Sequence, residues 1–123
     1  MLPNIKLLGG MKMNTIIKTN KQKELVVKKI GMDYKKIKFY ESNSSMICEN
    51  NSENLKEKLE YYYNLKDKVD YILLQLDDSL SKVIYNEYLT RKKDDWWIYY
   101  YSRSTYYRLR KKAINIFLEW WYA

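Results

Sequence analysis

The chain has 123 residues, enough for one domain or for a small domain with an appended arm. Its only turn punctuation is 3 Gly and 1 Pro, all within the first 31 residues, which excludes a sandwich or barrel of many short strands. The net charge of +8 is unevenly spread: residues 1–48 carry +7, residues 49–90 carry −4 and residues 91–123 carry +5.

The first ten residues hold one Lys and a very short apolar stretch, a poor signal peptide. Residues 1–18 read as a flexible N-terminal extension. From Thr19 to Glu41 the three- and four-residue recurrence of Val26, Ile30, Tyr34 and Ile37 predicts a helix with lysines on its other faces. Ser42 to Asn54 is rich in Ser, Asn and Glu, which compete with helical backbone bonds, so a loop is expected there. Residues 19–52 thus form a basic helical arm and linker. A membrane-surface role for the arm is weakly supported, because its apolar side lacks Trp and contains Gly31.

Residues 53–123 form the expected folded domain. Leu55, Leu59, Tyr62, Val69, Leu73 and Leu76 predict an amphipathic helix interrupted at Lys66, with Lys56–Glu60 and Lys66–Asp70 pairs on its exposed side. A dimerising coiled coil is the alternative, but it needs cleaner heptads. Asp77, Asp78 and Ser79 can cap a following helix that carries Leu80, Val83, Ile84, Tyr88 and Leu89 on one side. Asp94 or Asp95 can cap the next segment, where Trp96-Trp97-Ile98-Tyr99-Tyr100-Tyr101 is expected to form a short, tightly packed helix. Three helices are therefore expected over residues 79–118.

Ser102 is a good N-cap for a last helix. Starting there, Tyr106, Leu109, Ala113, Ile116, Phe117 and Trp120 fall on one apolar stripe, with Trp120 read as core more readily than Trp121. Arg103, Ser104, Tyr107, Arg108 and Lys111 fall on the opposite side, and no acid occurs between Ser102 and Leu118. A helix with one apolar face and one face of Arg, Lys, Ser and Tyr suits a place between a core and a polyanion. Cations near phosphates release condensed counterions, and side chains of the first exposed turn can reach base edges.

The run Tyr-Ser-Arg-Ser-Thr-Tyr-Tyr-Arg-Leu-Arg-Lys-Lys-Ala at Tyr101 to Ala113 resembles the recognition-helix end of the ArpU-type phage regulators. It also resembles their relatives with a fold like region 4 of sigma factors. Ser81 to Leu89 fits the first helix of their helix-turn-helix, and Tyr61-Tyr62-Tyr63 with Asp67 to Leu76 fits more weakly. The resemblance implies a small all-α domain whose C-terminal helix-turn-helix presents Arg103, Ser104, Tyr107, Arg108 and Lys111 to double-stranded DNA. It also implies a role in transcription, by operator binding or beside RNA polymerase, in the cytoplasm. A homodimer fits such a role, as does the absence of a membrane partner.

The chemistry that is missing narrows the field further. With no His and only Cys48, zinc-finger and Cys/His nucleophilic sites are excluded, and there is no Gly-rich phosphate loop. The single Cys cannot form an internal disulfide, which fits a reducing compartment. No apolar run approaches the roughly 20 residues that span a bilayer. No enzyme activity and no cofactor are expected. Two further readings stay open: a DNA-packaging component like a small terminase subunit, and an adaptor that holds RNA polymerase without reading DNA.

Overall fold

The computed structural model describes residues 19–42, 53–90 and 92–123. The expected extension over residues 1–18 and most of the expected linker, with Cys48, lie outside them. The described residues are all-helical and without strands. They form α1 (Asn20–Ser42), α2 (Glu53–Gln75), α3 (Asp78–Ile84) with a π-helical continuation over Tyr85–Leu89, and α4 (Arg103–Trp121).

A reciprocal cap starts α1: the Gln22 amide donates to Thr19 Oγ1, and the Thr19 amide donates to Gln22 Oε1, both at 3.1 Å. Its buried row is Val27, Ile30, Tyr34 and Ile37, so Val27 takes the place expected of Val26, which is only partly buried. This row lies in the same hydrophobic cluster as residues from every other helix. The helix read as a basic arm is thus a wall of the core. Its lysines lie outside the buried row, since a Lys-rich helix can still bury a narrow apolar stripe. Gly31 belongs to that wall: a Cβ there would press into the Tyr88 carbonyl, whose carbon would lie at 3.0 Å. The missing side chain lets α1 approach the π-helical turn.

The buried row of α2 is Tyr62, Leu65, Val69 and Ile72, continued by Leu76 just past its end, a clean alternation of three and four. Leu65 and Ile72 fill the positions expected of Lys66 and Leu73, so the interruption at Lys66 does not exist. Lys66 stands beside the row and pairs with Asp70 at 2.8 Å. The row packs into the same core as α1. Tyr34 Oη fastens the two helices by donating to Asp70 Oδ1 at 2.9 Å. Burial, and then this bond, raise the Tyr34 phenol above its ordinary pKa.

All five apolar residues expected of the next helix, Leu80, Val83, Ile84, Tyr88 and Leu89, are buried. Asp77 stands at its N-cap but makes no side-chain capping bond. Tyr88 Oη donates to Glu24 Oε2 of α1 at 3.0 Å, which ties the π-helical turn to the opposite wall.

The helix expected over Trp96–Tyr101 does not form. Residues 94–100 are successive turns, so residues 79–118 contain two helices rather than three. The Ile98 amide donates to the Asp95 carbonyl at 3.1 Å and the Tyr100 amide to the Trp97 carbonyl at 2.9 Å. Asp94 and Asp95 therefore have no helix to cap. A helix of six consecutive bulky residues needs cover on every side. At the surface, turns instead let Trp96, Trp97 and Tyr101 pack against the core while Ile98, Tyr99 and Tyr100 face outward.

The buried face of α4 is Tyr106, Ala113, Ile114, Phe117 and Leu118. Leu109 and Ile116, expected in the stripe, are half-buried, and Trp120 is 37% exposed, meeting Tyr71 edge-on. Trp121 closes the core instead, stacked on Phe117 with a 6.2 Å centroid separation and covered by Lys68 Nζ at 4.1 Å. Burial lowers the Lys68 pKa there. The stripe is shifted because α4 is enclosed by neighbours on two sides, so Ile114 and Leu118 are covered as well. Among the described residues, no helix is long and apolar enough to cross a membrane.

Candidate nucleic-acid interface

The start of α4 is built locally. Ser102 is extended, with φ −68° and ψ 160°, and its Oγ accepts the Thr105 amide at 3.3 Å. Its hydroxyl donates to Thr105 Oγ1 at 2.9 Å, and Arg108 Nη2 donates to the same oxygen at 3.3 Å. The turn segment is pinned beneath this end. Trp97 lies flat on Tyr106, with ring centroids 4.6 Å apart and planes within 5°. Glu87 Oε1, from the π-helical turn, accepts both Trp96 Nε1–H at 3.1 Å and the Tyr106 hydroxyl. Burial, and then that bond, raise the Tyr106 phenol above its ordinary pKa, so it remains a neutral donor.

With Tyr106 held inward, the opposite side of α4 is set. Arg103, Ser104, Tyr107, Arg108 and Lys111 are all exposed. Arg103, Tyr107 and Lys111 follow one another at four-residue steps along the helix, with Ser104 and Arg108 on the adjacent row. None of the four cations or polar groups other than Arg108 is held by a side-chain hydrogen bond or ion pair among the described residues. Tyr107 is stacked beneath Arg110, whose guanidinium carbon lies 4.7 Å from the ring centroid.

Arg110 was not assigned a role in the sequence, and neither were Lys21 and Lys23. These residues join Lys111, Tyr107 and Asn115 around an open cleft of about 370 Å³ between the first turn of α1 and the middle of α4. Lys23 Nζ donates to Asn115 Oδ1 at 3.0 Å, which fixes the two helices at this point. Among the described residues, Glu24 is the one acid lining the cleft. Its carboxylate meets Arg110 Nε and Lys28 Nζ, each at 3.6 Å, and accepts from Tyr88. Burial works against the Arg110 charge, but Tyr88 and Glu24 outweigh it and its pKa is raised. The cleft is therefore a cationic extension of the α4 face. Arg110 was legible from its spacing to Tyr107, whereas Lys21 and Lys23 reach the face only through long-range packing.

Comparison with known proteins found no matching family model, no matching curated protein and no matching solved structure. The resemblance to ArpU-type regulators is carried by the quoted residues alone. Among the described residues, no group of three or more His, Cys, Asp or Glu is placed to hold a metal ion.

Proposed function

We propose that this chain is a DNA-binding transcription regulator that lays the exposed face of α4 against double-stranded DNA. The observation that carries the reading is the cationic surface running from Arg103 through Arg108 and Lys111 to Lys21 at the start of α1. Such a surface, backed by the packed row of Tyr106, Ala113 and Phe117, offers several cations to one stretch of phosphates without ordering a loop. Arg103 and Tyr107 lie near the helix start, where base edges are within reach, and Lys111 and Lys21 sit farther along as phosphate contacts. Because turns replace the middle helix of a helix-turn-helix, the reading rests on this face rather than on the three-helix motif. A cytoplasmic regulator working as a homodimer or beside RNA polymerase is the setting this reading favours.

A second reading, a packaging component like a small terminase subunit, gains support from the outward side of α2. Tyr71 and Leu74 are exposed there, and Leu74 is 82% exposed, as suits a self-associating helical body. Selection of bound fragments from a random duplex pool, followed by salt titrations of two variants, separates the readings. Arg103→Ala is expected to lose about 1–3 kcal/mol of discrimination between selected and random DNA. Lys111→Ala should weaken all duplexes alike and make the salt slope shallower by about one unit. Loss of non-specific affinity alone in both variants, with ring-sized assemblies in solution, would favour packaging. No loss in either variant would overturn DNA binding by α4 and leave the polymerase adaptor.

A further inference from the structure

A second pocket, of about 570 Å³, lies between α3 and the turn segment and is lined by no residue of α4. Trp96, Tyr100 and Tyr101 form its aromatic wall, and Lys82, Asn86 and Lys92 stand around it. No acid lines it. Its volume is within the range of small-ligand sites, which combine an apolar wall with a few polar groups that fix orientation.

These polar groups are free of side-chain partners among the described residues. Neither Lys82 nor Lys92 forms an ion pair among the described residues, and the Asn86 carboxamide donates and accepts no hydrogen bond there. Tyr100 is 74% exposed although it borders an aromatic surface, so one face of its ring is open to a flat ligand. The wall is already in place. The Tyr101 amide donates to the Trp97 carbonyl at 3.0 Å, Trp96 is fixed through Glu87, and Trp97 is stacked on Tyr106. A ligand thus has little loop to order on binding, which favours affinity.

Exposed aromatic rings select a planar ring system, two ammonium groups without an ion pair among the described residues select an anion, and a carboxamide can both donate to and accept from a base edge. We propose that this pocket binds a nucleotide, with its base against Trp96 and Tyr100 and its phosphate at Lys82 and Lys92. The ligand is either a free mononucleotide or a nucleotide extruded from a strand. The site is separate from the α4 face, so it stands or falls independently of DNA recognition there.

Calorimetric titration of the full chain with AMP, adenosine, inorganic phosphate and an eight-nucleotide adenine strand tests this. AMP or the strand should bind saturably, at least tenfold more tightly than adenosine or phosphate. A Lys82→Gln/Lys92→Gln double variant should lose at least tenfold of that affinity, and so should Tyr100→Ala. Lys111→Ala should keep AMP binding, and circular dichroism should show unchanged helix content in all variants. Binding of AMP identifies the free nucleotide as the source; binding of the strand without AMP identifies the extruded base. Absence of saturable binding by both overturns the proposal. So does phosphate binding as tight as AMP, or binding that survives the double variant.

Discussion

In α4, Tyr106, Phe117 and Trp121 recur so that two are fully buried and the third closes the core. In the run from Trp96 to Tyr101, six bulky residues are contiguous, and Tyr99 is left 93% exposed. Both segments are rich in aromatic side chains, but only the first spaces them to the helical period. Periodic spacing lets one element bury its large residues against one neighbour, and the opposite face remains free for charge. A contiguous run cannot do this at a surface. It is held by individual fastenings, chiefly the Glu87 carboxylate and the Trp97–Tyr106 stack, and its surplus faces water.

The difference should appear most strongly in truncations. Phe117→Ala removes a side chain with no exposure and should cost about 3–5 kcal/mol in urea unfolding. Leu109→Ala, at a half-buried position, should cost less than about 2 kcal/mol. Equal costs would mean that the helical period does not decide which residues of α4 carry the core.

Alkaline pH tests the buried tyrosine hydroxyls, of which Tyr106 fastens the two regions together while Tyr34 and Tyr88 fasten α1 to its neighbours. Burial first, and then the carboxylates Asp70, Glu24 and Glu87, raise the phenols of Tyr34, Tyr88 and Tyr106 above the ordinary value of 10.0. The unfolded chain releases these protons near that value, and the folded chain holds them to higher pH. Their stabilisation is full well below pH 10.0 and falls as the pH rises through that value. The loss should be about 1 kcal/mol per tyrosine for each pH unit. Urea unfolding at about pH 9, about pH 10 and about pH 11 should show a decline about threefold larger in the upper interval than in the lower. A flat profile would mean that these hydroxyls ionise equally readily in both states.

Removing Glu87 separates the two regions. Glu87→Ala leaves Trp96 Nε1–H and the Tyr106 hydroxyl without their shared acceptor and should cost about 1–3 kcal/mol. It should also reduce the alkaline loss, because the Tyr106 phenol would then titrate closer to its ordinary value, while Tyr34 and Tyr88 keep their partners. An alkaline profile identical to that of the unaltered chain would show that Glu87 does not hold the turn segment to α4.

The sequence made the helical class and the exposed side of α4 legible, because both follow from periodicity and from Ser102 as an N-cap. The buried row of α3 was legible for the same reason. In α2 a one-residue phase error put Lys66 where Leu65 belongs, since adjacent apolar residues leave the centre of a stripe undetermined. The Trp120–Trp121 order was read backwards for that reason as well: either phase is a valid helix, and only the neighbours decide between them. Lys21, Lys23 and the pocket around Trp96 were not legible. They depend on which elements meet in space, and local spacing carries no such information.

The smallest expected effect is at the tip of the turn segment. Tyr99 is 93% exposed and takes part in none of the fastenings that hold the loop, so Tyr99→Ala should change stability by less than about 0.5 kcal/mol. Trp97→Ala is the proper reference, because it removes a ring stacked on Tyr106 two positions away in the same run. Aromatic stacking is worth about 0.5–1.5 kcal/mol beyond area burial, so this second variant should be clearly destabilised. Urea unfolding of the pair checks the assignment directly. Comparable losses would mean that the tip packs inward in solution and that the run is a folded core element. A silent Tyr99→Ala beside a destabilised Trp97→Ala would establish the division into an inward start, Trp96 and Trp97, and an outward tip, Ile98 to Tyr100, on which the shape of the pocket wall depends.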